Sequence, residues 1–180
     1  MFVLVRLFVY IILVKGLFRM NNLWSSWDLI FAIRMVVAAI CGGFLGYERK
    51  HRGKSAGIRT HLVVATASAL MMIVSKYGFN DMLDAAINYR VDPSRVAAGI
   101  VSGVGFLGAG MIFIRRKTPQ GLTTAAGIWA TSGIGMAIGA GMYAVGITAT
   151  VLIYVAQLIL HKVPKEKTLP TNDEGDNHDV

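Results

Sequence analysis

The sequence predicts an all-α integral membrane protein, a bundle of five transmembrane helices. An N-terminal apolar segment leaves a sixth span open. Three observations carry this. Of the 180 residues, 54% are hydrophobic and only 16% charged, against about 25% charged in soluble domains, and the mean hydropathy is +0.56. The charges cluster, which leaves five windows near the length of about 20 apolar residues that a span requires: A, 27–47; B, 60–79; C, 95–114; D, 121–140; and E, 142–161. Finally, the basic connections alternate. "ERKHRGKSAGIR" (48–59), "RRK" (115–117) and "HKVPKEK" (161–167) fall on one side if each window crosses once. By the positive-inside rule that side is cytoplasmic, and so is the C-terminus of a multi-pass protein in a cell membrane.

Residues 1–19, "MFVLVRLFVYIILVKGLFR", are apolar but carry Arg6 and Lys15. They read as an extra span, an interfacial anchor or a gene-model extension preceding a start at Met20. A cleaved signal peptide fits poorly, because Lys15, Arg19 and Met20 stand where small residues would be needed. Residues 20–161 form the membrane domain. Trp24 and Trp27 lie where an outer aromatic belt would sit. The B–C loop holds Asp81, Asp84 and Asp92, which read as solvated loop carboxylates rather than a divalent-ion site. Windows D and E are separated only by "AGM" (140–142), so they should form an antiparallel helical hairpin. The polar tail 162–180 is expected to be disordered and cytoplasmic.

Window C contains "SGVGFLGAG" (102–110), whose residues 103–108 spell G-x-G-x-x-G. The dinucleotide reading fails. No bounded strand leads in, and no acidic residue follows about 20 positions later to hold a ribose. In a membrane, small residues let helix backbones approach closely. Gly99 with Gly103 and Gly105 with Ala109 have the required four-residue spacing, as do Ala38, Gly42 and Gly46 in window A and Gly127, Thr131, Gly135 and Gly139 in window D. Three packing seams are therefore expected. Gly103, Gly105, Gly108 and Gly110 also crowd eight residues, which makes a broken helix lining a cavity the competing account.

Arg34 is the charge set deep in a window. It should cap carbonyls freed by window C, hold an anion, or snorkel to outer phosphates. The stretch around Glu48, Lys54, Arg59, Thr60 and His61 reads as a positive-inside anchor in which Arg59 and His61 meet anionic lipid headgroups, or as a docking surface. Thr123, Thr124 and Trp129 read as packing residues. The basic excess, +8 formally, belongs to topology and anionic lipid contact and not to nucleic acid. Cys41 stands alone, so no intrachain disulfide can form. No nucleophile–base pair, metal triad or cofactor motif is visible, so an enzyme is not expected. Proton relays and Mg²⁺ paths generally use carboxylates in the bundle, and the windows hold none at depth.

Four motifs in this order resemble the MgtC/SapB family of bacterial inner-membrane proteins: G-x-E-R and K-x-A-G-x-R-T-H within "RMVVAAICGGFLGYERKHRGKSAGIRTHLVV" (34–64), S-G-x-G-F-L-G-A-G at 102–110, and G-L-T-T-A-A-x-x-W-A-T from 121. The resemblance covers about 27–161. It implies a five-helix membrane domain, often followed in the family by a cytoplasmic ACT-like domain; this chain stops after the helices. It also implies adaptation to low magnesium or to host-like stress, and in some members restraint of ATP synthase. Another membrane protein, ATP synthase by resemblance, is then the expected partner, with the lipid bilayer around it and homo-oligomerisation open. The positions carried over are Arg34, Glu48, Arg59, Thr60, His61, Trp129 and the glycines Gly103, Gly105, Gly108 and Gly110. Two functions follow: a regulatory protein that binds a membrane partner, or a transporter or channel for an ion or small solute, with magnesium not favoured.

Overall fold

The computed structural model describes residues 26–79, 92–115 and 117–160. The N-terminal segment 1–19, Trp24, Asp81, Asp84 and the tail 162–180 lie outside these. Five helices are described: α1 (Ser26–His51), α2 (Ile58–Tyr77), α3 (Ser94–Gly110), α4 (Leu122–Gly139) and α5 (Tyr143–Leu160). Of these, α1 and α2 are long and apolar enough to cross a membrane; α3 and α5 are apolar and shorter.

The helix order alternates in direction. The C-terminal ends of α1 and α5 meet the start of α4, through Arg49–Thr124 and Arg52–Gln157 hydrogen bonds. At the other end, the start of α1 meets the ends of α2 and α4 through Arg34, and Ser75 of α2 donates to the Pro93 carbonyl just before α3. Helix α2 packs between α1 and α4, with α3 against α2 and α4 and α5 against α4 and α1. The core is built of small and branched residues, Ala38, Cys41, Leu45, Ala65, Ala69, Ile134 and Ile138.

Small residues explain why α1, α2 and α4 pack so closely. A methyl added at Gly42 would lie 2.5 Å from the His61 carbonyl oxygen, and one at Gly46 would lie 2.6 Å from Ile58 Cα. On the opposite side of α2, Gly135 meets the Ala65 carbonyl and Gly139 the Ala69 carbonyl. The seams expected in windows A and D are therefore both present, and α2 fills the groove between them.

The seam expected in window C is not formed within the chain. Gly99, Gly103, Gly105 and Gly110 have nothing within 4 Å of an added methyl, while Gly108 alone of this run touches a neighbour, Ala125 of α4, at ordinary contact distance. Nor does the run break the helix. Helix α3 continues to Gly110, because its hydrogen-bonded turns cost little to extend once the helix is nucleated. It ends four residues before window C does.

Those four residues begin a feature the hydropathy pattern did not separate from the span. Strands β1 (Phe113–Arg115) and β2 (Thr118–Gln120) pair antiparallel, with Arg115 opposite Thr118. This ribbon returns the chain to α4. Gly121 then turns at φ +88°, and any side chain there would collide with the Met111 carbonyl, so the return depends on glycine. The D–E hairpin forms as expected through 140–142. The amide of Met142 bonds the Ala137 carbonyl and that of Gly141 the Ile138 carbonyl, with Gly141 at φ +92°, a glycine-terminated helix end.

Candidate functional site, a polar cleft at the basic end

Helix α1 runs four residues past Tyr47, into the stretch expected to be loop. The extension decides the site. It places Glu48 and Arg52 one helical turn apart, where they form an ion pair. It also turns Arg49 inward, and its Nη2 donates to Thr124 Oγ1 at 2.9 Å. Arg52 Nη1 donates to the Gln157 carbonyl of α5 at 3.2 Å. Glu48, Arg49 and Thr124 are all more than nine-tenths buried.

Between α1, α4 and α5 these side chains enclose a cleft of about 520 Å³. Its polar lining is Glu48, Arg49, Arg52, Lys54, Thr123 and Gln157; farther along α4 and α5 it is lined by Ala126, Gly127, Ala130, Ile153 and Ala156. Two features stand out. Three cations face one carboxylate, and Glu48 Oε2, Arg49 Nε and Gln157 Oε1 are buried without a hydrogen-bond partner. Orphaned buried polar atoms are rare in native proteins and call for an explanation. Lys54 Nζ is exposed and has no partner among the described residues.

Beneath the cleft lies His61, fully buried. Its Nδ1 is 2.7 Å from Thr131 Oγ1, and the Thr131 hydroxyl donates to the Gly127 carbonyl at 2.8 Å. The hydroxyl hydrogen being so used, Nδ1–H donates to Thr131 and Nε2 is left as an acceptor in the neutral ring. Nε2 is buried and unpartnered. His61 thus cannot reach lipid headgroups, contrary to the anchor reading. Arg59 and Thr60, beside it on α2, are exposed and can.

The other expected residues disperse. Arg34 sits at the opposite end and is buried. Its Nη1 donates to the Tyr77 hydroxyl and to the Gly139 carbonyl, each at 3.0 Å, and its guanidinium packs beside Phe31 and Tyr77. It caps a single carbonyl, that of Gly139 at the end of α4, and not carbonyls of window C, where α3 runs unbroken to Gly110. Trp27 joins the same aromatic cluster. Thr124 is buried, whereas Thr123 and Trp129 are exposed, so Trp129 is no internal packing residue. Gly103, Gly105 and Gly110 line the outward face of α3. Asp92 is occupied locally: its Oδ1 accepts from the Ser94 hydroxyl and amide at 2.6 and 3.0 Å, which holds its carboxyl below the usual carboxylate range.

Sequence reasoning missed Arg49, Arg52 and Gln157 as individual residues, and it read Thr131 only as part of a packing seam. The two arginines were hidden among loop charges. Gln157 did leave a signal, as the lone amide in "VLIYVAQLIL". No grouping of three or more His, Cys, Asp or Glu residues that could hold a metal occurs among the described residues.

The profile of the MgtC family matches residues 35–166, which includes the whole cleft. YhiD of Escherichia coli (strain K12), whose name proposes magnesium transport, is 51% identical over 133 residues, 74% of this chain and 61% of its own length. An uncharacterized protein of Haemophilus influenzae is 38% identical over 138 residues, 76% of this chain and 58% of its own. Protein MgtC of Salmonella typhimurium (strain LT2) is 35% identical over 147 residues, 81% of this chain and 59% of its own. The chain thus spans about three fifths of the length of these curated relatives. No solved structure matches. By the profile and by these identities, the chain belongs to the MgtC family.

Proposed function

We propose that the chain is a multi-pass inner-membrane protein that acts by binding another membrane protein, with its basic end cytoplasmic. The observation that carries this is an inversion of the usual burial pattern. Polar side chains point inward and pair with each other: Arg34 with Tyr77, His61 with Thr131, Ser68 with Ser132 at 2.9 Å. Large apolar side chains point outward, with Ile33, Val36, Ile40, Phe44 and Tyr47 forming one exposed stripe along α1. Water would penalise such a surface, and a bilayer favours it. By resemblance to the family, the biological setting is growth at low magnesium or under host-like stress, and the partner is ATP synthase.

Binding is favoured over transport because α3, the helix whose break would have lined a path, is continuous. Its outward face presents open glycines beside Phe106, which is 80% exposed. A smooth face beside an aromatic side chain suits a second helix. The transport reading draws on the name of YhiD and on the unpartnered Glu48 oxygen. Mg²⁺ influx into liposomes carrying the purified protein separates the two readings. Influx abolished by Glu48→Gln would establish transport. No influx, together with loss of low-magnesium growth in a Gly103→Leu strain whose protein remains folded, supports binding through α3.

A further inference from the structure

The cleft at the basic end has an electrostatic peculiarity that the binding function does not use. Its cations, Arg49, Arg52 and Lys54, outnumber its single carboxylate, so it attracts anions. Thr123 adds a hydroxyl at the first turn of α4, whose N-cap, Gly121, supplies no side-chain hydrogen bond to the helix amides. Amides and dipole there favour a phosphate. Yet two of the three orphaned atoms of its polar lining are acceptors, Glu48 Oε2 and Gln157 Oε1. Arg52 ties the two residues together through other atoms, holding Glu48 Oε1 with Nε and the Gln157 main-chain carbonyl with Nη1. A simple anion would leave Glu48 Oε2 unsatisfied and repel it. A simple cation would sit among three positive charges. A ligand that carries both a phosphate and an N–H-bearing cation meets both demands.

We propose that the cleft binds the headgroup of a phospholipid bearing a primary ammonium. The ammonium donates to Glu48 Oε2 and Gln157 Oε1, and the phosphodiester is held by Lys54 and Thr123. Farther along α4 and α5 the lining turns apolar through Ala126, Ala130, Ile153 and Ala156, which continues the polarity sequence of a lipid from headgroup to glycerol and chain. The volume of about 520 Å³ accommodates a headgroup and little more. This inference rests on the membrane reading above.

The test is the thermal unfolding midpoint of the full chain in detergent, titrated with phosphatidylethanolamine, phosphatidylcholine or phosphatidylglycerol of identical acyl chains, and separately with soluble phosphoethanolamine. Choline has no N–H to donate, and phosphatidylglycerol has no cation. The expected result is half-maximal stabilisation by the ethanolamine lipid at about tenfold lower mole fraction than by either other lipid, the order of one lost charge-assisted hydrogen bond. Glu48→Gln should erase the preference over the choline lipid. Lys54→Ala, at an exposed position, should weaken all three lipids alike and keep their order. Stabilisation by soluble phosphoethanolamine at equal potency would assign the same chemistry to a free zwitterion instead of a lipid. Equal response to ethanolamine and choline lipids overturns the proposal in the wild-type protein alone, whether or not Glu48→Gln folds. A preference for phosphatidylglycerol overturns it in favour of plain charge attraction. Extraction of native membranes with alkaline carbonate reads the membrane assignment separately: release of the chain would defeat that reading without reference to headgroups.

Discussion

Helices α3 and α4 are both rich in glycine and nearly equal in length, yet they use glycine in opposite ways. On α4, Gly135 and Gly139 press against the backbone of α2, where not even a methyl fits. On α3, Gly99, Gly103, Gly105 and Gly110 face open space. Both helices satisfy the four-residue spacing of small residues. The spacing therefore marks a surface able to pack closely and does not say what it packs against. On α4 that surface is consumed by the fold. On α3 it remains on the outside, where a partner can use it.

Substitutions should separate the two helices sharply. Gly135→Ala forces a methyl into the Ala65 carbonyl, and Gly42→Ala does the same at His61 from α1. Each should cost about 3 kcal/mol, the upper end for overpacking, read as a lowered unfolding midpoint in detergent. If both are tolerated, the seam is looser than its geometry and the contrast with α3 collapses.

Arg34→Ala should come next, at about 2 kcal/mol, since it leaves the Gly139 carbonyl and Tyr77 hydroxyl without their donor. Arg34→Lys should recover only part of this, because an ammonium cannot reproduce the planar fork. An unchanged midpoint in Arg34→Ala would mean that the end of α4 is held by the Gly141 turn and by Lys76, which donates to the Ala140 carbonyl.

On α3 the sign should reverse. Gly103→Ala should leave stability unchanged or raise it by up to about 1 kcal/mol, because alanine is the better helix former and nothing lies in its way. Gly103→Leu should fold as well but lose in-cell function if a partner seats on this face. A destabilised Gly103→Ala would show that α3 packs against something within the purified protein, a second copy included.

The smallest effect concerns the start of α3. Asp92 accepts two hydrogen bonds from Ser94 in its ionised form, which lowers its pKa. The contribution is therefore complete above the ordinary carboxylate range and lost as pH falls through the lowered folded value. Hydrogen exchange at the Ser94 amide should be slowed at neutral pH and keep that protection down through the ordinary aspartate value of about 3.9, losing it only at lower pH. Protection that persists there would mean another acceptor holds the amide.

What the sequence determined by itself was the architecture. Length of apolar run, loop charge and small-residue spacing are local properties of the chain, and they located all five helices, the tight D–E turn and the seams of α1 and α4. The four ordered motifs carried the family resemblance. Other matters were decided by tertiary structure alone. The outward turn of the α3 glycines depends on where α2 and α4 lie, which no spacing encodes. The short ribbon at 113–120 was hidden because Phe113 and Ile114 are as apolar as a span. Arg34 found Gly139, 105 positions away, and Arg49 found Thr124, 75 positions away. The polar cleft exists only because α1 extends past Tyr47, so that Glu48 and Arg49 on it, and Arg52 in the turn that follows, reach two later helices. Buried polar groups must find partners wherever the fold places them, and so their pairing, or the lack of it at Glu48 and Gln157, is a property of the assembled bundle.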